Sequence, residues 1–204
     1  MSDNFVGPDA TVPYLSQYDQ SISVQHRYHF CGIVSLYMVV AYLCNQRQRQ
    51  CPDLHTLSDH AIAIDGLDET EGWIQAKLAQ TARDYGFEAM ARSWFCRETD
   101  ISYMHGVGRL DTQAETKWYE EQIHNEFIHT LQAVMEAGLP MILSVQPGFG
   151  SNNSNHLLVV AAYDPQSRSV RVHDPQYQGE EGRSVPVQLE YLLRYSNFNA
   201  IIVF

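Results

Sequence analysis

Basic residues are scarce in this sequence. Lysine and arginine number 13 against 24 aspartate and glutamate residues, and the formal net charge is −11 at pH 7. A surface with this balance repels the phosphate backbone of nucleic acid, so a nucleic-acid partner is not expected. The polar run 45–50 contains Arg47 and Arg49, and we interpret it as an exposed helix end followed by a turn.

Long apolar runs and targeting signals are also missing. No apolar stretch is long enough to cross a membrane, and residues 1–9 have neither the basic nor the apolar region of a secretory signal. The four cysteines are then typical of reduced thiols in a cytoplasm. We therefore expect a cytoplasmic protein without a membrane partner. Non-classical export stays open, and in an exported chain Cys44 and Cys51 could close a small loop.

The composition that remains is globular. Of the 204 residues, 45% are hydrophobic and 18% are charged, which is ample for a packed core in a domain of ordinary size. We expect one domain over residues 1–204. Nothing in the residue pattern specifies an oligomeric state.

The most apolar stretch, residues 32–43, is predicted to be a buried central helix. Its only clearly polar side chain is Ser35, and it is too long for an ordinary strand. Cys31 lies at its start, where unpaired backbone N–H groups and the positive end of the helix dipole favour a thiolate. Gly32 leaves room for a substrate carbonyl, whose oxyanion could accept the Cys31 N–H. A lone cysteine is more often an apolar filler, so this one needs downstream partners.

The rest of the chain divides into a mostly helical middle and a sheet-forming last third. The predicted elements are an extended segment over 10–17, a polar loop over 18–28, amphipathic helices over 54–64 and 73–85, a strand over 88–95, an extended loop over 97–116, a helix over 118–137 ended by Gly138, strands over 141–145, 156–164 and 168–175, a short helix or strand over 188–195, and a strand over 200–204. The loop is interpreted as a lid or binding loop, or else as disorder, and its His105 as a solvated histidine.

Two strands of the last third supply candidate partners for the cysteine. With a period of two, Val170, Val172 and Asp174 share one face, so Asp174 points toward the core and needs a partner. If the strands form a hairpin, His156 at the start of the preceding strand lies beside it. Singly, His156 would more often bond its own loop and Asp174 would more often open an Asp-Pro turn. Together with Cys31 they supply a nucleophile, a base and a group that orients the base.

These residues lie in segments that resemble a known family. The sequence is similar to the bacteriocin-processing type of papain-like cysteine peptidases, the C39 family, and most to its stand-alone C39-like branch. The similarity covers most of the chain, and the segments that carry it are Val12–Gln17, Cys31–Val39, Ala137–Ser144, Asn155–Asp164 and Val172–Pro175. Their order and spacing together make the resemblance fairly specific.

The resemblance implies a papain-like α+β fold, with a helical lobe around the central helix, an antiparallel sheet lobe and a cleft between them. It implies Cys31 as nucleophile, His156 as general base and Asp174 as the residue that orients the imidazole, with no cofactor and no metal. The expected activity is that of a bacterial thiol peptidase acting on a peptide or protein. The alternatives are an amidase or transpeptidase of the same superfamily, and a binding or regulatory module that retains the fold without turnover.

The resemblance also implies a glutamine in the oxyanion hole, for which there are two candidates. Gln25 precedes Cys31 at the spacing of papain and of the exporter-fused C39 domains, whereas Gln17 matches the Val-Pro-Tyr-x-x-Gln segment of the stand-alone branch. An oxyanion donor acts through rigid placement. We favour Gln17, because the predicted extended segment would anchor it while Gln25 lies in a polar stretch with no evident anchor.

Overall fold

The computed structural model of the protein describes residues 4–19, 29–68, 72–95, 98–150 and 153–204. The helices are α1 (Cys31–Gln46), α2 (Leu54–Ala63), α3 (Gln75–Asp84), α4 (Glu98–Gly106), α5 (Gln113–Glu136) and α6 (Leu189–Tyr195). The strands are β1 (Leu67–Asp68), β2 (Gly72–Trp73), β3 (Ala89–Ser93), β4 (Met141–Val145), β5 (His156–Asp164), β6 (Ser169–His173), β7 (Val185–Gln188) and β8 (Ser196–Val203).

The predicted central helix is confirmed. α1 buries every residue from Gly32 to Cys44 except Tyr37, and it packs against β5. Its one buried polar side chain is satisfied, because Ser35 Oγ donates a 3.1 Å hydrogen bond to the Leu157 carbonyl of β5. This bond ties the helix to the strand close to the first residue of each.

An antiparallel sheet of six strands forms the second half of the fold, in the order β3-β8-β4-β5-β6-β7. The predicted central strand, β5, lies inside the sheet. Side chains alternate between the two faces. Ile142, Leu157 and Ile201 join the core formed with α1, α2 and α3, whereas Leu143 and Leu158 join the core on the opposite face with α5 and α6. The sheet is therefore covered on both sides.

Two predicted segments differ from the structure near the start of the chain and before α3. Residues 10–17 are not extended throughout, since Asp9–Thr11 form a short 3₁₀ helix and residues 13–16 follow without regular structure. Residues 20–28 of the predicted polar loop lie outside the described residues. The predicted helix over 73–85 begins only at Gln75, because Trp73 belongs to β2, which pairs with β1.

The prediction of an extended loop over 97–116 is wrong for the residues of this segment that the structure describes. It contains α4 and the first turn of α5. Among the described side chains of α4 only Ile101 is buried, so the segment has no apolar period to indicate a helix. Gly106 ends α4, and Gly108 follows it with a φ of +67°. The glycines therefore mark a helix end and not a loop.

α5 starts earlier than predicted because of a capping box. The Thr112 side chain accepts the Glu115 N–H at 3.2 Å, and the Glu115 carboxylate accepts the Thr112 N–H at 2.9 Å. No helix within the described ranges is long and apolar enough to span a membrane.

The capping box gives a first prediction. Thr112→Ala removes the acceptor for the Glu115 N–H and is expected to lower the free energy of unfolding by about 1 kcal/mol, measured by urea denaturation. Thr112→Ser keeps the hydroxyl and should retain most of that stability. A Thr112→Ala protein as stable as the parent would show that this helix start contributes little.

Candidate active site

Two adjacent strand ends place a histidine against an aspartate. His156 opens β5, and Asp174 directly follows β6, whose last residue His173 pairs with Val159. His156 Nε2 lies 2.6 Å from Asp174 Oδ1, and both side chains are 4% exposed. The structure therefore brings these two predicted site residues together in a buried, charge-assisted hydrogen bond.

The backbone around Asp174 is held in place by its neighbours. Its N–H donates to the Gly182 carbonyl at 2.8 Å, its own carbonyl accepts the Tyr14 hydroxyl at 2.9 Å, and Oδ1 also accepts the Gln176 N–H at 3.0 Å. A Cβ on Gly182 would lie 2.0 Å from the Asp174 carbonyl oxygen. Only glycine fits at that position without moving the aspartate.

The segment 14–17 fixes the loop that follows Asp174. Ser16 Oγ donates to the Tyr177 carbonyl at 2.6 Å, and the Gln17 N–H donates to the Pro175 carbonyl at 2.8 Å. Burial, and after it the negative charge of Asp174, raises the pKa of Tyr14 above its ordinary value. Its hydroxyl therefore stays protonated and keeps donating.

Cys31 is the first residue of α1, remains partly exposed and lines the same cleft as His156. Because Nε2 of the imidazole faces Asp174, Nδ1 is the nitrogen left for the thiol. Burial alone would raise the pKa of Cys31, but the positive charge of His156 and the hydrogen bonds from His156, Leu157 and Gly32 outweigh it and lower the pKa.

The pKa of the His156 imidazole is shifted in the opposite direction from that of the Cys31 thiol. Burial alone would lower the pKa of His156, but the negative charge of Cys31 and the hydrogen bond to Asp174 raise it to about 10. A lowered thiol pKa beside a raised imidazole pKa favours a thiolate–imidazolium pair near neutral pH. Such a pair is an activated nucleophile beside a proton donor.

The two candidate glutamines differ in what the structure describes. Gln17 is buried, and its backbone bond to Pro175 anchors it next to the Asp174 loop. Its Oε1 has no hydrogen-bond partner among the described residues, and Gln17 is not among the described residues that line the cleft at Cys31. Gln25 lies outside the described residues.

The Cys31–His156 pair opens into a cleft of about 570 Å³. The lining residues are His29, Cys31, Gly72, Trp73, Gln75, Ser144, Pro147, Ser154, Asn155, His156, Leu157, Asn197 and Asn199. Across the described part of the chain, no group of three or more His, Cys, Asp or Glu side chains is placed to hold a metal ion.

Trp73 is a cleft residue that the sequence interpretation missed, since it was placed in a packing helix. A Cβ on Gly32 would lie 2.7 Å from Trp73 Cδ1, and the indole Nε1 donates to the His29 carbonyl. Trp73 therefore covers the start of α1. The glycine after Cys31, interpreted as room for a substrate, is also required by this contact.

The remaining cysteines are unlike Cys31. Cys44 and Cys51 are free thiols, so the small loop considered for an exported chain is not closed here. Burial and the neighbouring Cys44 raise the pKa of Cys51 to about 12 despite the nearby Arg49. Cys96 lies outside the described residues.

Comparison with known proteins agrees with this architecture. The protein-family model described as Peptidase_C39 like family matches residues 10–201 of this sequence. A putative C39-like peptidase from Bacillus anthracis is 17% identical, with 99% of this chain and 98% of that chain covered and a TM-score of 0.59. Xylellain, a cysteine protease from Xylella fastidiosa, is 12% identical over 99% and 86% of the two chains, with a TM-score of 0.57.

A third similar structure is a double glycine motif protease from an AMS/PCAT transporter in complex with the leader peptide. It is 16% identical, with 97% of this chain and 93% of that chain covered and a TM-score of 0.50. No curated protein matches the sequence significantly. At these identities the structural likeness shows the fold, and it confirms the predicted papain-like α+β arrangement of a helical lobe and an antiparallel sheet.

The pair of shifted pKa values gives a prediction for alkylation. Iodoacetamide should modify Cys31 well below about pH 8, while Cys44, Cys51 and Cys96 react more slowly, as followed by peptide mass spectrometry across a pH series. His156→Ala removes the charge that lowers the thiol pKa, so the Cys31 profile should move to higher pH. Equal labelling of all four cysteines at neutral pH would contradict the assignment.

Proposed function

The chain belongs to the C39-like peptidase family, and on that premise we propose that it is a cysteine peptidase with Cys31 as nucleophile, His156 as general base and acid, and Asp174 as orienting carboxylate. The observation that carries the proposal is the buried hydrogen bond between His156 and Asp174, with Cys31 beside His156 in the same cleft. A buried carboxylate on the far imidazole nitrogen fixes the ring and stabilises its protonated form.

In the first half of the proposed reaction, the Cys31 thiolate attacks a substrate amide carbonyl carbon and forms a tetrahedral intermediate. The C–N bond then breaks, and His156 gives its proton to the leaving amine. The products of this half are a free amine and a thioester on Cys31. The neutral imidazole that remains is held by Asp174.

In the second half, His156 takes a proton from water as the water oxygen attacks the thioester carbonyl. The C–S bond breaks, the carboxylic acid product leaves, and Cys31 returns as thiolate beside the protonated His156. In both halves the oxyanion would be stabilised by the Cys31 N–H and by a glutamine side chain. We favour Gln17 for that glutamine, because its backbone is anchored to Pro175.

The proposed substrate is a peptide or protein. The transporter-derived protease was solved with a leader peptide, and a polypeptide substrate for this chain is proposed by analogy with it. The open cleft beside Cys31 has room for several residues of an extended chain.

Substitution of Cys31 and of Asp174 separates an enzyme from a binding module. We expect Cys31→Ala to abolish turnover and keep the fold, and Asp174→Asn to lower kcat by about 10²- to 10⁴-fold through a misoriented imidazole. The measurement is peptide cleavage under reducing conditions, with circular dichroism as the folding control. A parent protein that binds a partner, cleaves nothing and binds equally well as Cys31→Ala would favour the module.

The oxyanion-hole glutamine is tested by a matched pair of variants. Gln17→Ala should lower kcat by about 100- to 1000-fold with little change in KM, because the bond forms mainly in the transition state. Gln25→Ala should have little effect on either constant. The assignment is reversed if Gln17→Ala keeps the parental kcat while Gln25→Ala loses it.

A further inference from the structure

The floor of the cleft is built from the sheet face that elsewhere forms the core under α1. Along β8 this face carries Ile201 and Val203, which are fully buried with the helices. The same alternation continues to Asn199 and Asn197, which are half-buried and line the cleft. The face therefore changes from apolar to amide side chains where the helices no longer cover it.

A bulge in the pairing of β4 with β8 orients the side chains of Asn197 and Asn199. Leu143 pairs with Ala200 and Val145 pairs with Ser196, so Ser144 of β4 lies opposite three residues of β8. The middle one, Phe198, has a φ of +51° and packs into the opposite core. Bulges of this kind redirect side chains and are frequent beside active sites. Here the bulge leaves Asn197 and Asn199 on the cleft side.

A small hydrogen-bond network fixes one of the amides. Asn197 Nδ2 donates to Ser144 Oγ at 2.8 Å and to Asn155 Oδ1 at 3.3 Å. These bonds use the donor of Asn197 and the acceptor of Asn155. Within the described residues, Asn197 Oδ1 and Asn155 Nδ2 have no protein partner, so one acceptor and one donor are left for a ligand.

Apart from the Cys31–His156 pair, the described cleft-lining residues carry no charged side chain. None of the described lining residues is Asp, Glu, Lys or Arg, and the titratable ones are His29, Cys31 and His156, although the protein carries 37 Lys, Arg, Asp and Glu residues in all, the sum of 13 and 24. A charged substrate side chain placed against Ser144, Asn155, Asn197 and Asn199, away from the Cys31–His156 pair, would lose hydration and gain no counter-charge from these four side chains. An uncharged polar group would lose less and could use the free amide donor and acceptor.

We infer that Ser144, Asn155, Asn197 and Asn199 form a specificity subsite for uncharged, hydrogen-bonding residues of a polypeptide substrate, in particular amide side chains, and that it discriminates against acidic and basic residues. The inference rests on the proposed peptidase function, because it assigns the substrate class of the same cleft.

The test uses short peptides that end in a vinyl sulfone, which alkylates Cys31 without needing turnover. Each peptide carries alanine except at one position, where glutamine, glutamate and lysine are compared at the first, second and third residue before the electrophile. Glutamine and glutamate have nearly the same shape, so the comparison isolates charge. For at least one position, the second-order rate constant for labelling should be at least about tenfold higher with glutamine than with either charged residue.

Two variants test whether Asn197 and Asn199 cause the preference for glutamine over charged residues. Asn197→Asp places a carboxylate in the subsite and should raise the lysine-to-glutamate rate ratio at that position by at least about tenfold. Asn199→Asp is the second variant, used if Asn197→Asp loses its circular dichroism spectrum. Asn125→Asp is the matched control, because Asn125 is exposed on α5 and is not among the cleft-lining residues, and its rate ratios should equal those of the parent.

Each result decides the inference. Equal rates for glutamine, glutamate and lysine at all three positions overturn the subsite even if the protein cleaves peptides. Failure of every probe to label Cys31 overturns it as well, and so does a glutamine preference that neither Asn197→Asp nor Asn199→Asp redirects. A glutamine preference that Asn197→Asp or Asn199→Asp redirects supports the subsite, and it does so even if no peptide is hydrolysed, in which case the proposed peptidase function fails separately.

Discussion

The hydrogen bond from Ser35 Oγ to the Leu157 carbonyl fixes the position of α1 on β5, and the geometry of the site depends on it. Ser35 is one helical turn after Cys31, and Leu157 directly follows His156, so this buried bond joins α1 to β5 close to the thiol and the imidazole. Packing of the apolar helix against a flat strand would by itself permit sliding, since dispersion contacts are not directional. The hydrogen bond of Ser35 is directional, so it adds a positional constraint that the apolar contacts do not provide.

A second constraint acts on the far side of the imidazole. Asp174 follows β6 in a loop that is held from two parts of the chain, by the Gly182 carbonyl and by the segment 14–17 through the Tyr14 hydroxyl and the Gln17 backbone. A carboxylate that must orient a ring needs such support, because a freely rotating side chain would leave the ring in several positions. The segment 14–17, a prominent part of the family resemblance, is thus a support for the aspartate as well as the source of a candidate oxyanion donor.

The sequence predicts best those features that one segment determines alone. The unbroken apolar run after Cys31 predicts α1, and the alternation of Val170, Val172 and Asp174 predicts that the carboxylate points inward to meet His156. α4 was missed because a helix that buries little has no apolar period, and Trp73 because its role arises from packing on Gly32 far away in sequence. The asparagines of β8 do alternate visibly, but their meaning depends on where the helices stop covering the sheet.

The position of β8 has a consequence for how the protein is made. β8 follows every other element in the described chain, yet it lies between β3 and β4 inside the sheet. During synthesis α1 and Cys31 leave the ribosome early, but β3 cannot join the strands β4 to β7 until residues 196–203 emerge, because β8 lies between β3 and β4. Closing contacts this distant in sequence is slow. A partly made chain therefore exposes Cys31 before Asn197 and Asn199 complete the lining of its cleft.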